Sequence, residues 1–129
     1  MILLDSNIII YSGMVQYSYL RNLLEQSNIL VSIISKLEVL GYHKITPEQI
    51  LYFDAIFRVV ENAPISAEIV TQAIEYRRKK AMSVADAIIA ATAILYKCDL
   101  YTNNVSDFKN IKDFKIVNPI KSTDSKIGF

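Results

Sequence analysis

The chain has little of what covalent cross-linking or soft-metal chemistry requires: one cysteine, one histidine and no tryptophan in 129 residues. A single Cys98 excludes an internal disulfide, and its place at a predicted helix end suits a small buried hydrophobe. An intracellular, cytoplasmic protein is expected from such cysteine usage. Cys98 and His43 share no spacing that suggests zinc, and His43 is expected on a helix surface. Three glycines and three prolines are too few for the turns of an all-β sandwich, which leaves long helices joined by short strands. Long apolar runs are missing too: Ala87 to Tyr96, with Thr92 inside it, falls far short of the ~20 residues that cross a bilayer. Asp5 interrupts the N-terminal apolar run and no basic residue precedes it, so neither a signal peptide nor a membrane is expected. Finally, no charge sign dominates. Fourteen Lys and Arg stand against thirteen Asp and Glu, with pI ≈ 7.8, so any contact with a polyanion has to be local.

What is present is a core. Hydrophobic residues make up 52% of the chain, with eight Tyr and five Phe, enough for one domain, expected over residues 1–120 with a tail at 121–129. The tyrosines are expected to be mostly core or interface material, one or two being available to stack a splayed base. Ile2-Leu3-Leu4 and Ile29 to Ile34 read as buried strands. Ser6-Asn7 opens a short helical turn, Gly13 breaks the chain, and Val15, Leu20, Leu23 and Leu24 predict an amphipathic helix to about Gln26. Ser35-Lys36-Leu37-Glu38 has the spacing of a capping box, and Thr46-Pro47 opens a further helix. A short strand or connector is expected around Val59 to Ile65, then a helix from Ser66 to Lys80. Ser83-Val84-Ala85-Asp86 repeats the capping pattern before a helix apolar nearly all round, which has to be buried. Asp99 to Thr102 returns as a strand, Asn103 to Phe108 as a loop or turn, and Phe114 to Val117 as a last strand, with a frayed end from Pro119. Strands alternating with helices predict a three-layer α/β/α sandwich on a mainly parallel sheet.

Four acids share a position in this pattern, each just after a strand or in the first turn of a helix: Asp5, Glu38, Asp86 and Asp107. The carboxyl ends of strands in an open α/β sheet form one edge where ligands bind. Carboxylates converging there repel one another unless a hard cation such as Mg²⁺ or Mn²⁺ sits among them. Each acid also has an ordinary structural reading. Glu38 and Asp86 complete capping boxes, Asp5 starts a helix through its side-chain oxygen, and Asp107 is a surface loop acid. The dense basic run Arg77-Arg78-Lys79-Lys80 precedes the Asp86 segment, where it either rims the cleft for the phosphates of a polyanion or solvates a helix end. Lys109, Lys112, Lys115, Lys121 and Lys126 add positive charge to the C-terminal fifth.

These segments resemble the PIN domain family, and within it the VapC-type toxins of toxin–antitoxin pairs. Ile2-Leu3-Leu4-Asp5-Ser6-Asn7 resembles the family's opening, with Ser6 in place of threonine. Ile34 to Val39 resembles its second segment, Ser83 to Ala93 its central motif, and Leu100 to Phe108 its closing segment, in the right order over residues 1 to about 120. The resemblance implies the α/β/α fold and Asp5, Glu38, Asp86 and Asp107 around Mg²⁺ or Mn²⁺. It further implies endonucleolytic hydrolysis of RNA by a metal-activated water, leaving a 5′-phosphate and a 3′-hydroxyl. A cognate antitoxin and homodimerisation through the aromatic-rich N-terminal helices follow in the same way. Some relatives carry an acid at the position of Asn104, so Asn104 or Asp107 completes the set. Ser6 is expected either to orient a ligand carboxylate or to cap a helix, and Asn7 to be structural. A PIN-like binding module without catalytic activity is the alternative. A phosphoacceptor receiver domain fits less well, because the chain lacks its mid-chain strand-end Asp and late strand-end Lys.

Overall fold

The computed structural model describes residues 1–121. Lys126 and the predicted tail beyond Lys121 lie outside the described residues. Among the described residues, five parallel strands form one sheet: β1 (Ile2–Leu4), β2 (Ile29–Ser32), β3 (Glu61–Ala63), β4 (Asp99–Tyr101) and β5 (Ile116–Val117), in the order β3-β2-β1-β4-β5. The helices are α1 (Ser6–Ser12), α2 (Arg21–Leu24), α3 (Ile33–Leu40), α4 (Pro47–Val59), α5 (Ala67–Lys79), α6 (Val84–Leu95) and α7 (Val105–Phe108). The expected three-layer α/β/α sandwich is therefore observed, with every strand pairing among the described residues parallel.

Strand alternation divides the core into two layers. Leu3, Leu30 and Leu100 point to one face, where they meet Ile69 and Ala73 of α5 and the Ala87–Ala93 stretch of α6. Ile2, Leu4, Ile29 and Val31 point to the other, against Ile8 and Ile9 of α1, Val39 of α3 and Phe53, Ile56 and Phe57 of α4. Buried on both faces, β1 and β2 are apolar at every position up to Ser32, as two-sided strands require. Helix α6 is buried from Ala87 through Thr92 to Ala93, and its alanines let it lie against the sheet with little side-chain bulk. Among the described residues, no helix is long and apolar enough to cross a membrane.

Several boundaries differ from the sequence expectation, each for a local reason. Strand β2 stops at Ser32, not Ile34, because the Ser32 hydroxyl accepts the Ile34 amide and caps α3. The helix expected from Val15 is a 3₁₀ segment (Val15–Leu20) running into the single turn of α2, since non-helical Tyr17 turns its ring inward to Tyr11. Asn103 to Phe108 is not all loop but contains α7, whose Phe108 is fully buried. The last strand is shorter than expected, only Ile116–Val117. His43 stands in the turn between α3 and α4 instead of on a helix, its ring edge-on to Tyr42. Nor does the chain fray at Pro119. Ile120 is buried, and the Lys121 amide donates to the Tyr19 hydroxyl at 3.1 Å.

Candidate active site

Strand order sets where the site falls. The chain runs outward from β1 through β2 to β3, then crosses to the other side of β1 to lay down β4 and β5. The carboxyl end of β1 is thus the switch point of the sheet, where α/β proteins open a crevice. Asp5 is the residue at that end.

Asp5 performs the capping role and occupies the crevice with the same side chain. Its extended backbone lets Oδ1 accept the Ser6 amide at 2.8 Å as the N-cap of α1. Its Oδ2 accepts the Thr102 hydroxyl at 2.8 Å and Asn7 Nδ2 at 3.2 Å. Only 5% of the residue is exposed. Burial pushes its pKa up to about 6, the bonds from Thr102 and Ser6 pull it back, and the charges of Asp86 and Glu38 push it up again.

Asp86 lies in the first turn of α6, its amide donating to the Ser83 hydroxyl at 3.0 Å. The side chain is half-buried. Burial raises its pKa, the nearby Asp107 carboxylate and then Glu38 add to this, and Ser83 and Lys80 oppose it. Glu38 is exposed on α3, with Oε1 2.7 Å from the Ser6 hydroxyl. Ser6 Oγ is also 2.9 Å from Ser35 Oγ. Ser6 has one proton to give, so a relay from Ser35 through Ser6 to the carboxylate is the arrangement that serves all three oxygens. Asp107 is exposed at the start of α7, and its carbonyl accepts Lys80 Nζ at 2.8 Å. Asn104 donates its backbone amide to Thr102 Oγ1 at 3.0 Å.

The charges of Asp86 and Glu38 thus bear on Asp5, and those of Asp107 and Glu38 on Asp86, so the four acids lie near one another. Among the described residues, however, no three acidic, histidine or cysteine side chains already gather closely enough to cage an ion. Glu38 and Asp107 are exposed, where water can bridge a carboxylate to an ion, and Mg²⁺ usually keeps several waters. The donor set fits a divalent cation in type and in charge. All four groups are hard oxygen donors, and the two most buried, Asp5 and Asp86, are held where their ionised forms are disfavoured.

The basic run divides. Lys80 reaches the acidic edge, Arg77 Nε donates to the Met82 carbonyl at 3.2 Å and so ties the loop leading to α6, and Arg78 and Lys79 are exposed in the last turn of α5. A cavity of about 520 Å³ lined by Ile10, Met14, Val39, Tyr42 and Tyr52 lies apart from the four acids.

Three positioning residues are clearer in space than in sequence. Ser35, expected as an N-cap, is fully buried beneath Ser6, because Ser32 has taken the capping role. Asn7 bridges Asp5 and Thr102, while its Oδ1 accepts the Asn103 amide at 3.0 Å. Thr102 is wholly buried and is the hub of the group, with Oγ1 donating to Asp5 and accepting from Asn104 and Asn7. A buried, uncharged Thr at a strand end offers no periodic signal; only its place in the closing segment marks it. Thr102→Val keeps the shape and removes every one of these bonds. It should cost about 2–3 kcal/mol in urea unfolding at pH 7, where Asp5 is ionised, and roughly half that at pH 4.5, where the bond is to a neutral carboxyl.

Fold and site together define the class: an α/β/α domain with a buried carboxylate, Asp5, at the switch point of a parallel sheet. The PIN domain family profile matches residues 2–113, and the chain belongs to that family. Among solved structures it is similar to a toxin–antitoxin complex from Klebsiella pneumoniae, at 27% identity over 94% of this chain and 99% of that one, with a TM-score of 0.77. VapBC2 from Rickettsia felis bound to a promoter DNA fragment shares the fold at 24% identity, 92% and 98% coverage and a TM-score of 0.73. FitAcB from Neisseria gonorrhoeae does so at 22% identity, 92% and 98% coverage and a TM-score of 0.71. No curated protein matches the chain.

Proposed function

We propose that this chain is a Mg²⁺- or Mn²⁺-dependent endoribonuclease, one domain over residues 1–120, and the toxin of a type II pair of the VapBC kind. It acts in the cytoplasm on RNA, as a homodimer, and is restrained by a cognate antitoxin protein. The observation that carries the catalytic reading is Asp5: a carboxylate buried at the sheet's switch point, its ionised form disfavoured by burial and by neighbouring acids. The toxin reading is supported by PIN membership and by 27% identity, over nearly the whole chain, to the Klebsiella pneumoniae toxin–antitoxin structure.

Asp5, Glu38, Asp86 and Asp107 would hold the ion. When bound, the ion supplies Lewis acidity and a water of lowered pKa for in-line attack on the phosphodiester, leaving a 5′-phosphate and a 3′-hydroxyl. The chain's own part is orientation. Thr102 and Asn7 fix the direction of the Asp5 carboxylate, and Ser6, backed by Ser35, fixes that of Glu38. Lys80 brings a positive charge to the lip of the site, placed to meet a backbone phosphate and to temper Asp86.

The purified chain is expected to cut mixed single-stranded RNA in Mg²⁺ or Mn²⁺, to stop in a chelator, and to resume when metal is restored. A folded chain that binds RNA but cuts none under any of these conditions would establish the inactive binding module instead. Growth arrest on expression, relieved by the product of a neighbouring gene, tests the toxin reading separately.

A further inference from the structure

Beside the acidic edge, the last turn of α5 and the segment joining α7 to β5 enclose a second cavity of about 430 Å³. Lys79, Lys80 and Lys112 line it, with Met82 and Ile111 as an apolar wall. One acid, Asp113, also borders it and accepts the Tyr76 hydroxyl at 2.8 Å. Three ammonium groups against one carboxylate leave a local charge of about +2, in a chain whose whole net charge is +1. Lys80 sits at the border, its Nζ 2.8 Å from the Asp107 carbonyl. The side chains of Lys79 and Lys112 have no hydrogen bond or ion pair among the described residues, so both remain available to a ligand. The volume is that of a pocket for a small organic ligand. A lining that combines cations with apolar side chains matches a nucleotide, whose phosphate is charged and whose base presents flat apolar faces.

We propose that this cavity binds one nucleotide of a single-stranded RNA next to the phosphate presented to the acidic edge, with Lys79 and Lys112 on its phosphate and Met82 and Ile111 against its base. The identity of the ligand rests on the ribonuclease reading above. The cavity then sets the path of the strand: it passes over Lys80 and anchors one nucleotide behind it.

The test titrates adenosine 5′-monophosphate, too small to be a cleavage substrate, into the full chain and follows backbone amide shifts. Saturable shifts at Lys79, Met82, Ile111 and Lys112 are expected. They should weaken at least about fivefold in Lys79→Gln/Lys112→Gln, and by less than about twofold in Lys97→Gln/Lys115→Gln, which removes equal charge from the other end of the strands. Inorganic phosphate and adenosine alone should each bind more weakly than the nucleotide. Equal losses in the two variant pairs, or shifts that avoid the cavity, overturn the proposal. With an RNA octamer, the cavity pair should lose about tenfold in kcat/KM, mostly through KM. Full retention of cleavage by that pair overturns the subsite and leaves the ribonuclease standing. Nucleotide bound in the cavity by a chain that cuts no RNA upholds the site and overturns the ribonuclease reading.

Discussion

Asp86→Asn and Asp5→Asn should each lower metal-dependent RNA cleavage at least about 1,000-fold, a loss of roughly 4 kcal/mol of transition-state stabilisation. Asp107→Asn should cost only about 10- to 100-fold. The ranking follows from burial. Asp5 is almost wholly covered and Asp86 half-covered, so no other group can take their places, whereas Asp107 is exposed and water can stand in for it. An amide keeps the volume and one acceptor oxygen but removes the charge that holds a hard cation. Ser6→Ala should fall with the milder group, since it frees Glu38 without discharging it. Initial rates on a fluorescent RNA, with circular dichroism to verify folding, give the comparison. Wild-type rates in the Asp86→Asn protein would assign the cleavage to a contaminant.

The fold was legible in the sequence wherever burial left a pattern. The uninterrupted apolar runs of β1 and β2 mark two-sided strands, Thr46-Pro47 with Gln49 marks the start of α4, and Ser83 marks that of α6. What escaped was decided by competition between nearby residues. Ser32 and Ser35 are both plausible N-caps three residues apart; the sheet ended the strand at Ser32, which freed Ser35 to sit under Ser6. The Val15 segment had helical spacing, yet packing of the Tyr17 ring broke it into a 3₁₀ turn. In the site, the capping and ligand readings of Asp5 do not exclude each other, because a carboxylate has two oxygens and here one caps a helix while the other meets Thr102. The positions of the acids could be read in sequence because each follows a strand or opens a helix. The polar bracing around them could not, because hydrogen-bond partners nearly 100 residues apart leave no spacing to detect.

In the absence of metal, Asp5 alone should make the fold about 2.5 kcal/mol less stable at pH 7 than at pH 4, most of a full penalty of about 3 kcal/mol. Its carboxyl titrates near 3.8 in the unfolded chain and at about 6 in the folded one, and that gap converts to about 3 kcal/mol. Below 3.8 both states hold the proton and pH has no effect. Between 3.8 and about 6 the folded state keeps a proton that the unfolded state releases, so stability falls as pH rises. Above about 6 the penalty is complete. Other carboxylates slope the other way, so the quantity to measure is the difference between wild type and Asp5→Asn in urea unfolding with chelator, from pH 4 to 7. The Asn amide would face Asn7 Nδ2, donor to donor, which offsets the variant's curve by a constant amount and leaves the slope as the diagnostic. Added Mg²⁺ or Mn²⁺ should stabilise wild type at pH 7 through mass action and do so far less at pH 4.5, where the ion has to displace a proton. Parallel curves for the two proteins would mean that Asp5 titrates as it does in water, and burial would then give no reason for a cation at this edge.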